Sequence, residues 1–358
     1  MTATSAQERA AGGLRHADRS ARNGVAATNG RRVVGWLVAL AVLVGVCILS
    51  LVVGAKDIPF ATIWDALFSD AYPDERIILW DMRIPRTVLG VIAGAALGVA
   101  GALIMALTRN PLADAGILGV NSGAAFAVAI AVGFLGLGGI WTYIWFAFLG
   151  AVLATVAVYC LGSLGRGGAT PIRLTLAGVA LGAVLSGVTF GMTLLNPDAF
   201  DKMRFWTAGS IAGRGLDISA AVGVFIAIGL VLAAVIVNSL NAVALGDDLA
   251  RSLGANITRT RIIGVIAITL LCGAVTAAAG PIMFLGLMVP HIARWLIGPD
   301  QRWILVYTVV LAPSIFLLSD ILGRVVVRPG ELQVGIISAM VGAPVLIAMV
   351  RREKASGL

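Results

Sequence analysis

Two unbroken apolar runs constrain this chain more than any other feature. Val33 to Ala55 is 23 residues without a charge, and Thr87 to Leu107 is 21. Crossing a hydrocarbon core of about 30 Å takes roughly 20 helical residues. A transmembrane barrel strand would alternate apolar and polar residues over about 10 positions, which neither run does. Helices are the reading, because each satisfies its own backbone hydrogen bonds in lipid. Composition agrees, with 59% hydrophobic and 12% charged residues. Those charges are too few to cover the outside of a soluble fold, and a disordered chain would be polar. Cys47, Cys160 and Cys272 each stand alone in an apolar run. They read as small hydrophobes, not as a disulfide framework or a metal site.

The expected fold class is an all-α polytopic membrane protein with ten transmembrane helices. They fall near 33–55, 84–107, 116–138, 141–163, 172–195, 217–240, 259–279, 281–297, 303–322 and 333–350. The glycine-rich "GLGLGG" alone separates the third from the fourth, and Gly280-Pro281 the seventh from the eighth. Residues 1–32 read as a disordered cytoplasmic tail, 33–352 as the ten-span domain, and 353–358 as a short cytoplasmic tail. The first run is too long for a signal-peptide core of about 7–15 residues, so it reads as an uncleaved span. With the N-terminus inside, 17 of the 26 Lys and Arg residues fall on cytoplasmic segments and 9 on outer ones. That bias puts both termini inside. The net charge of +8 follows from this topology. The cations are scattered over loops, so no nucleic-acid partner is needed to explain them.

No Asp, Glu or Lys falls in the middle of a span; Asp320 sits at the outer end of the ninth and His291 near the inner end of the eighth. Ion-coupled carriers place ionisable residues within the membrane as relay or ion site. Their scarcity here points to energy supplied from elsewhere. The chain has no G-x-x-x-x-G-K-[ST] phosphate loop. Its two histidines, His16 and His291, form no catalytic constellation. Small residues recur every four positions at Gly90, Gly94 and Gly98, and again at Gly178, Gly182 and Ser186. Such ridges let helix backbones approach closely, as plain packing or as a surface for sliding.

Four stretches then agree, in order, with one family. "RIPRTVLGVIAGAALGVAGALIMALTRNPLADAGILGVNSGAAFA" (83–127), "ALGDDLARSLG" (244–254), "AGPIMFLGLMVPHIARWLIGPDQR" (279–302) and "SDILGRVVVRPGELQVGIISAMVGAPVLIAMVRR" (319–352) carry the likeness. The chain resembles the permeases of iron-siderophore, haem and vitamin B12 ABC importers, over roughly residues 33–352. The departures are Ala115 and Gln333, where proline is common, and Met283, where glycine is common. The resemblance implies a ten-span fold like that of the vitamin B12 importer permease. It implies a translocation pathway shared with a second permease chain, the same or related. It also implies two ATP-binding-cassette ATPase subunits inside, an extracytoplasmic substrate-binding protein outside, and a bacterial plasma-membrane location. No cofactor belongs to this chain; ATP and Mg²⁺ are used by the ATPase subunits. An iron-siderophore is the favoured cargo, with haem or cobalamin as runners-up. An ion-gradient-driven carrier is the rival class, and a membrane enzyme or scaffold a further one.

Residue readings stand beside that likeness. Asp247 and Asp248 open a short helix where the helix dipole favours anions, Arg251 suits its last turn, and Gly254 can end it. On those residues alone it is a solvated connector. By resemblance Gly246, Asp247, Asp248, Leu249, Ala250, Arg251, Leu253 and Gly254 form the helix that docks on the ATPase. Pro111 pushes Asn110 out of the helical region and ends the second span, which by itself makes a tight turn. By resemblance Asn110, Leu112, Pro171 and Ile172 narrow the inner end of the pathway. Arg83 and Arg324 read alone as interface anchors. The likeness makes them the docking points for glutamates of the binding protein, with Arg76, Arg86 and Arg328 as weaker candidates. The acidic loop with Asp70, Asp74, Glu75 and Asp81 reads as solvated surface, and His291 as a packing residue.

Overall fold

The computed structural model describes residues 28–54, 58–69, 72–137, 139–164, 170–328 and 330–355. Most of the N-terminal tail, Lys56, Asp70 and Arg166 lie outside the described residues. Among the described residues every regular element is a helix, without a strand. In chain order the helices are α1 (Asn29–Val52), α2 (Phe60–Phe68), α3 (Pro73–Ile77) and α4 (Ile84–Thr108). Then come α5 (Val120–Gly133), α6 (Ile140–Ser163), α7 (Pro171–Leu195), α8 (Pro197–Thr207) and α9 (Leu216–Ala244). The last are α10 (Asp247–Ser252), α11 (Ile257–Ala279), α12 (Leu285–Ile297), α13 (Gln301–Val326) and α14 (Val334–Ala355). A π-helical turn, Ile78–Arg83, joins α3 to α4 without a break.

Local chemistry sets many of the helix starts. Thr28, Thr170, Asn196, Asn256 and Asp300 each accept a hydrogen bond from a backbone N–H in the first turn that follows. This satisfies donors that a helix start leaves open. Pro171 and Pro197 stand at first helical positions, where a missing N–H costs nothing.

α4 is the axis of the molecule. It is buried along most of its length and packs against α9, α11, α12 and α13. Lipid tails are as apolar as leucine, so close backbone approach holds such helices together better than hydrophobicity does. The Gly90, Gly94, Gly98 ridge faces α13. A Cβ on Gly94 would lie 2.5 Å from Pro313 Cα, and one on Gly98 2.6 Å from Ala312 Cβ. The Gly178, Gly182, Ser186 ridge is also packing. Gly178 lies against the Ile117 carbonyl, Gly182 beside Ser122, and Ser186 Oγ donates to Ser122 Oγ at 3.4 Å.

Among the described residues, seven helices are long and apolar enough to cross a membrane, counting Pro73–Thr108 as one. The ten-span expectation meets shorter helices at three places. The segments expected at 116–138, 281–297 and 333–350 carry apolar helices of only 10–17 residues, Val120–Gly133, Leu285–Ile297 and the Val334–Ala348 part of α14. The first two are shortened by backbone that a helix cannot contain. Before α5 a 3-10 turn, Ala115–Leu118, is capped by Asp114 and ends at Gly119 with φ +76°. Before α12, Gly280 has φ +79° and Phe284 φ +67°. The first segment is buried at Ala113, Ala115 and Leu118, and the second at Gly280 and Ile282 though Met283 is exposed; non-helical backbone among apolar helices is tolerated where protein covers it. α2, α3 and α8 lie outside every expected span.

Candidate functional site

The two ends of α4 define two sites. At its C-terminal end the chain leaves the helix through Arg109, a non-glycine residue at φ +52°. Asn110 Oδ1 accepts from the Leu112 N–H at 2.9 Å, and the Asn110 carbonyl from the Ala113 N–H at 3.1 Å. His291 Nε2 donates to the Pro111 carbonyl at 2.7 Å. The expected tight turn is therefore a pinned one, and His291 is the satisfied packing residue that the sequence suggested. Asp114 follows, its Oδ1 accepting from the Gly116 N–H at 2.8 Å. Burial pushes its carboxyl up from the usual range, against the lowering effect of that bond.

α10 stands at the same end. Gly246, at φ +107°, makes the turn that starts it. Gly254, at φ +81°, ends it, with the Ala255 N–H reaching back to the Ala250 carbonyl at 2.9 Å. Ala250 is buried with Val243 and Ile257. The opposite face is open: Leu245, Leu249 and Leu253 are 61%, 50% and 63% exposed. Leu249 and Leu253, four residues apart, form one stripe of α10, and Leu245 stands just before the Gly246 turn. Asp248 and Arg251 are exposed beside it and pair at 3.6 Å.

Asp247 faces inward and joins three segments. One carboxylate oxygen meets Arg109 Nη2 at 3.0 Å and the other Arg261 Nη2 at 2.9 Å. Arg261 also lines a small cavity, about 20 Å³, with Thr108, Ile117 and Pro171. The structure thus brings the start of α10, the exit of α4 and the start of α7 to one node. Asn110 and Leu112 belong to the turn beside it; Leu112 and Ile172 are exposed. The sequence named both ends of this arrangement and missed Asp247 as its centre. The signal that could have found it is the pair of arginines at positions 259 and 261 following a double aspartate.

At the other end of α4, Arg83 and Arg324 are buried, 5% and 4% exposed. Arg83 Nη1 donates to the carbonyls of Leu51 and Val52, the latter at 2.7 Å. Arg324 donates to the Ser50 and Val53 carbonyls at 3.0 and 2.9 Å and to Ser50 Oγ at 2.8 Å. The last carbonyls of α1 have no partner within their own helix, and these two guanidinium groups supply one. Asp320, fully buried, accepts from Arg86 at 2.8 Å and from Arg324 at 3.1 Å. Arg86 also meets Glu331 at 2.7 Å. The structure therefore places Arg83 and Arg324 inside the protein, not on its outer face. Asp320, taken from sequence as a residue at a span's edge, is the anion of a buried cluster. Its signal was present: Asp320 precedes Arg324 by one helical turn.

The FecCD transport family matches residues 41–352. The ferric enterobactin transport system permease protein FepD of Escherichia coli is 47% identical over 93% of this chain and 98% of its own. A siderophore transport system permease protein, YfiZ of Bacillus subtilis, is 37% identical over 87% of this chain and 93% of its own. Among solved structures, a metal-chelate type ABC transporter in an inward-facing conformation superposes with a TM-score of 0.78, covering 88% of this chain and 98% of that one at 22% identity. That likeness concerns the fold, which is that of an ABC transporter permease. The family match and the extent of these relatives lead to one conclusion: the chain belongs to the FecCD transport family.

Proposed function

We propose that this chain is the membrane permease subunit of an ATP-driven importer, and that its cargo is an iron-siderophore. Relatives covering nearly the whole chain are named for that role and support the reading. Two permease chains would share a pathway, two ATPase subunits would bind inside, and a binding protein would deliver cargo outside. Both termini then lie in the cytoplasm, and α10 with them.

The observation that carries the coupling is the pairing of Asp247 with both Arg109 and Arg261 behind the exposed leucine stripe. A short helix of this kind frays when alone, so a partner surface suits it. ATPase closure would move α10 through Leu245, Leu249 and Leu253. Asp247 would pass that movement to Arg109, and so to the Asn110–Leu112 turn, and to Arg261 beside Pro171. This chain holds no phosphate loop and catalyses no step of ATP hydrolysis in the proposal; ATP and Mg²⁺ act in the partner subunits.

At the opposite end, docking through Arg83 and Arg324 would require both guanidinium groups to leave the α1 carbonyls. The proposal assigns them to holding α1 and leaves the binding protein to exposed residues of that face.

The test is co-purification and coupling. Leu249→Asp with Leu253→Asp should lower ATPase binding by about 10-fold or more, since buried apolar anchors dominate such contacts. Normal ATPase binding and normal ATP-driven uptake by this variant would remove the docking assignment.

A further inference from the structure

The Arg86 end of the molecule holds a cavity of about 470 Å³ that the coupling scheme does not use. Small-molecule sites have about 300–1,000 Å³. It opens between the end of α5, the start of α6, α8, the loop 208–215 and residues 331–333. Its frame is fixed. The Ser210 N–H donates to the Ala279 carbonyl at 2.7 Å, the Ala212 N–H to Ser210 Oγ at 3.1 Å, and the Gly335 N–H to the Gly209 carbonyl at 3.0 Å.

Three cations line the cavity: Arg86, Lys202 and Arg214. Arg86 is matched by Asp320 and Glu331. Lys202 and Arg214 have no carboxylate partner among the described residues. Arg214 is half-buried, its Nη1 donates to Tyr143 Oη at 3.4 Å, and its Nε is buried without an acceptor. Trp206, 7% exposed, also lines the cavity, and its indole N–H is buried and unpaired. Unpaired buried donors are rare and costly, and a half-buried cation without an anion is costlier still. Both unpaired N–H groups lie just beneath the cavity surface, and the cations without a carboxylate, Arg214 and the exposed Lys202, favour an anionic occupant. The remaining wall, with Val128, Val132 and Phe205, is apolar and suits an aromatic or aliphatic body.

We propose that this cavity binds an anionic, oxygen-ligated metal chelate, its oxygens held by Lys202 and Arg214 and its apolar body by the α5 and α8 side chains. A small rotation of Arg214 or Trp206 presents its unpaired N–H to the ligand. The site would hold cargo inside one permease chain, at the end of α4 remote from α10. This rests on the reading of the chain as a chelate permease.

The test uses the full chain in nanodiscs of phosphatidylcholine, without ATPase or binding protein. The probes are an iron(III) tris-catecholate, which is anionic, and an uncharged iron(III) tris-hydroxamate. Titration calorimetry should show the tris-catecholate binding, with Lys202→Gln plus Arg214→Gln weakening it by about 10-fold or more, as loss of charged hydrogen bonds does. Lys202→Arg with Arg214→Lys should retain binding, and so separates charge loss from misfolding. The tris-hydroxamate should bind more weakly and be indifferent to the double Gln variant. Equal binding by wild type and the double Gln variant overturns the site. So does displacement of the chelate by an equal concentration of inorganic phosphate, which would make it an unselective anion site. Uptake by the complete complex separates the two readings. A complex that imports a ferric chelate while the double Gln variant binds as wild type sinks this inference alone. Charge-dependent binding in a complex that imports no chelate sinks the transport reading and leaves the site.

Discussion

Asp247 and Asp320 are both aspartates that meet two arginines, yet their surroundings give them different consequences. Asp247 is about a quarter exposed, and Arg109 more so. Solvent screens such pairs, so Asp247→Asn should cost only about 1 kcal/mol of stability. Its effect should appear in coupling. ATPase subunits should still bind, while chelate moved per ATP hydrolysed falls several-fold in proteoliposomes. An unchanged transport-to-hydrolysis ratio would show that Asp247 only anchors α10. Asp320 is fully buried between Arg86 and Arg324. Removing one partner of a buried ion cluster leaves charge without compensation, a loss of about 3–5 kcal/mol. Asp320→Asn should therefore lower the thermal unfolding midpoint in detergent sharply. A midpoint within a degree of wild type would mean the cluster is looser than its distances indicate.

At the scale of helices, small residues decide how closely elements pack. A Cβ on Gly94 meets the backbone of Pro313, which cannot yield as a flexible side chain would. Gly94→Ala should cost about 1–3 kcal/mol, the usual penalty of overpacking. Gly187, where an added Cβ would meet nothing within 4 Å, should accept alanine without loss. Comparing the two unfolding midpoints checks the assignment of close approach. The long helices were legible in sequence because a charge-free apolar run of about 20 residues has few other uses. The breaks were less legible. Residues 115–119 and 280–284 are as apolar as the helices they interrupt, so hydropathy carries through them while the backbone does not. Gly280-Pro281 marked the second break, and Phe284 at positive φ had no sequence signal at all. α8 escaped because it is short and amphipathic within a polar stretch; Asn196 before Pro197 is the capping signal that could have found it. α10 was legible almost residue by residue, since Gly246, the paired aspartates and Gly254 each have a local reason to be there.

For the whole molecule, the placement of apolar surface matters most. α1, α7 and α9 turn long apolar faces outward, with Leu37, Val42, Leu176, Phe190, Val231 and Val235 among the exposed side chains. Lipid and a second permease chain are the two coverings that the proposed assembly supplies. Native mass spectrometry of the intact complex should give two permease chains with two ATPase subunits; a single permease chain would contradict the shared pathway. Arg83 and Arg324 show where sequence reasoning stops. Their positions matched a docking motif, but which way a guanidinium points depends on the open carbonyls of α1, more than 30 residues from Arg83 and over 250 from Arg324. The most direct measurement of the central claim is uptake of an iron(III) chelate by proteoliposomes holding the complete complex. ATP-dependent uptake that withstands an ionophore, and is lost in the Leu249→Asp, Leu253→Asp variant, is the predicted result. Uptake that persists without ATP and collapses with the ionophore would contradict it.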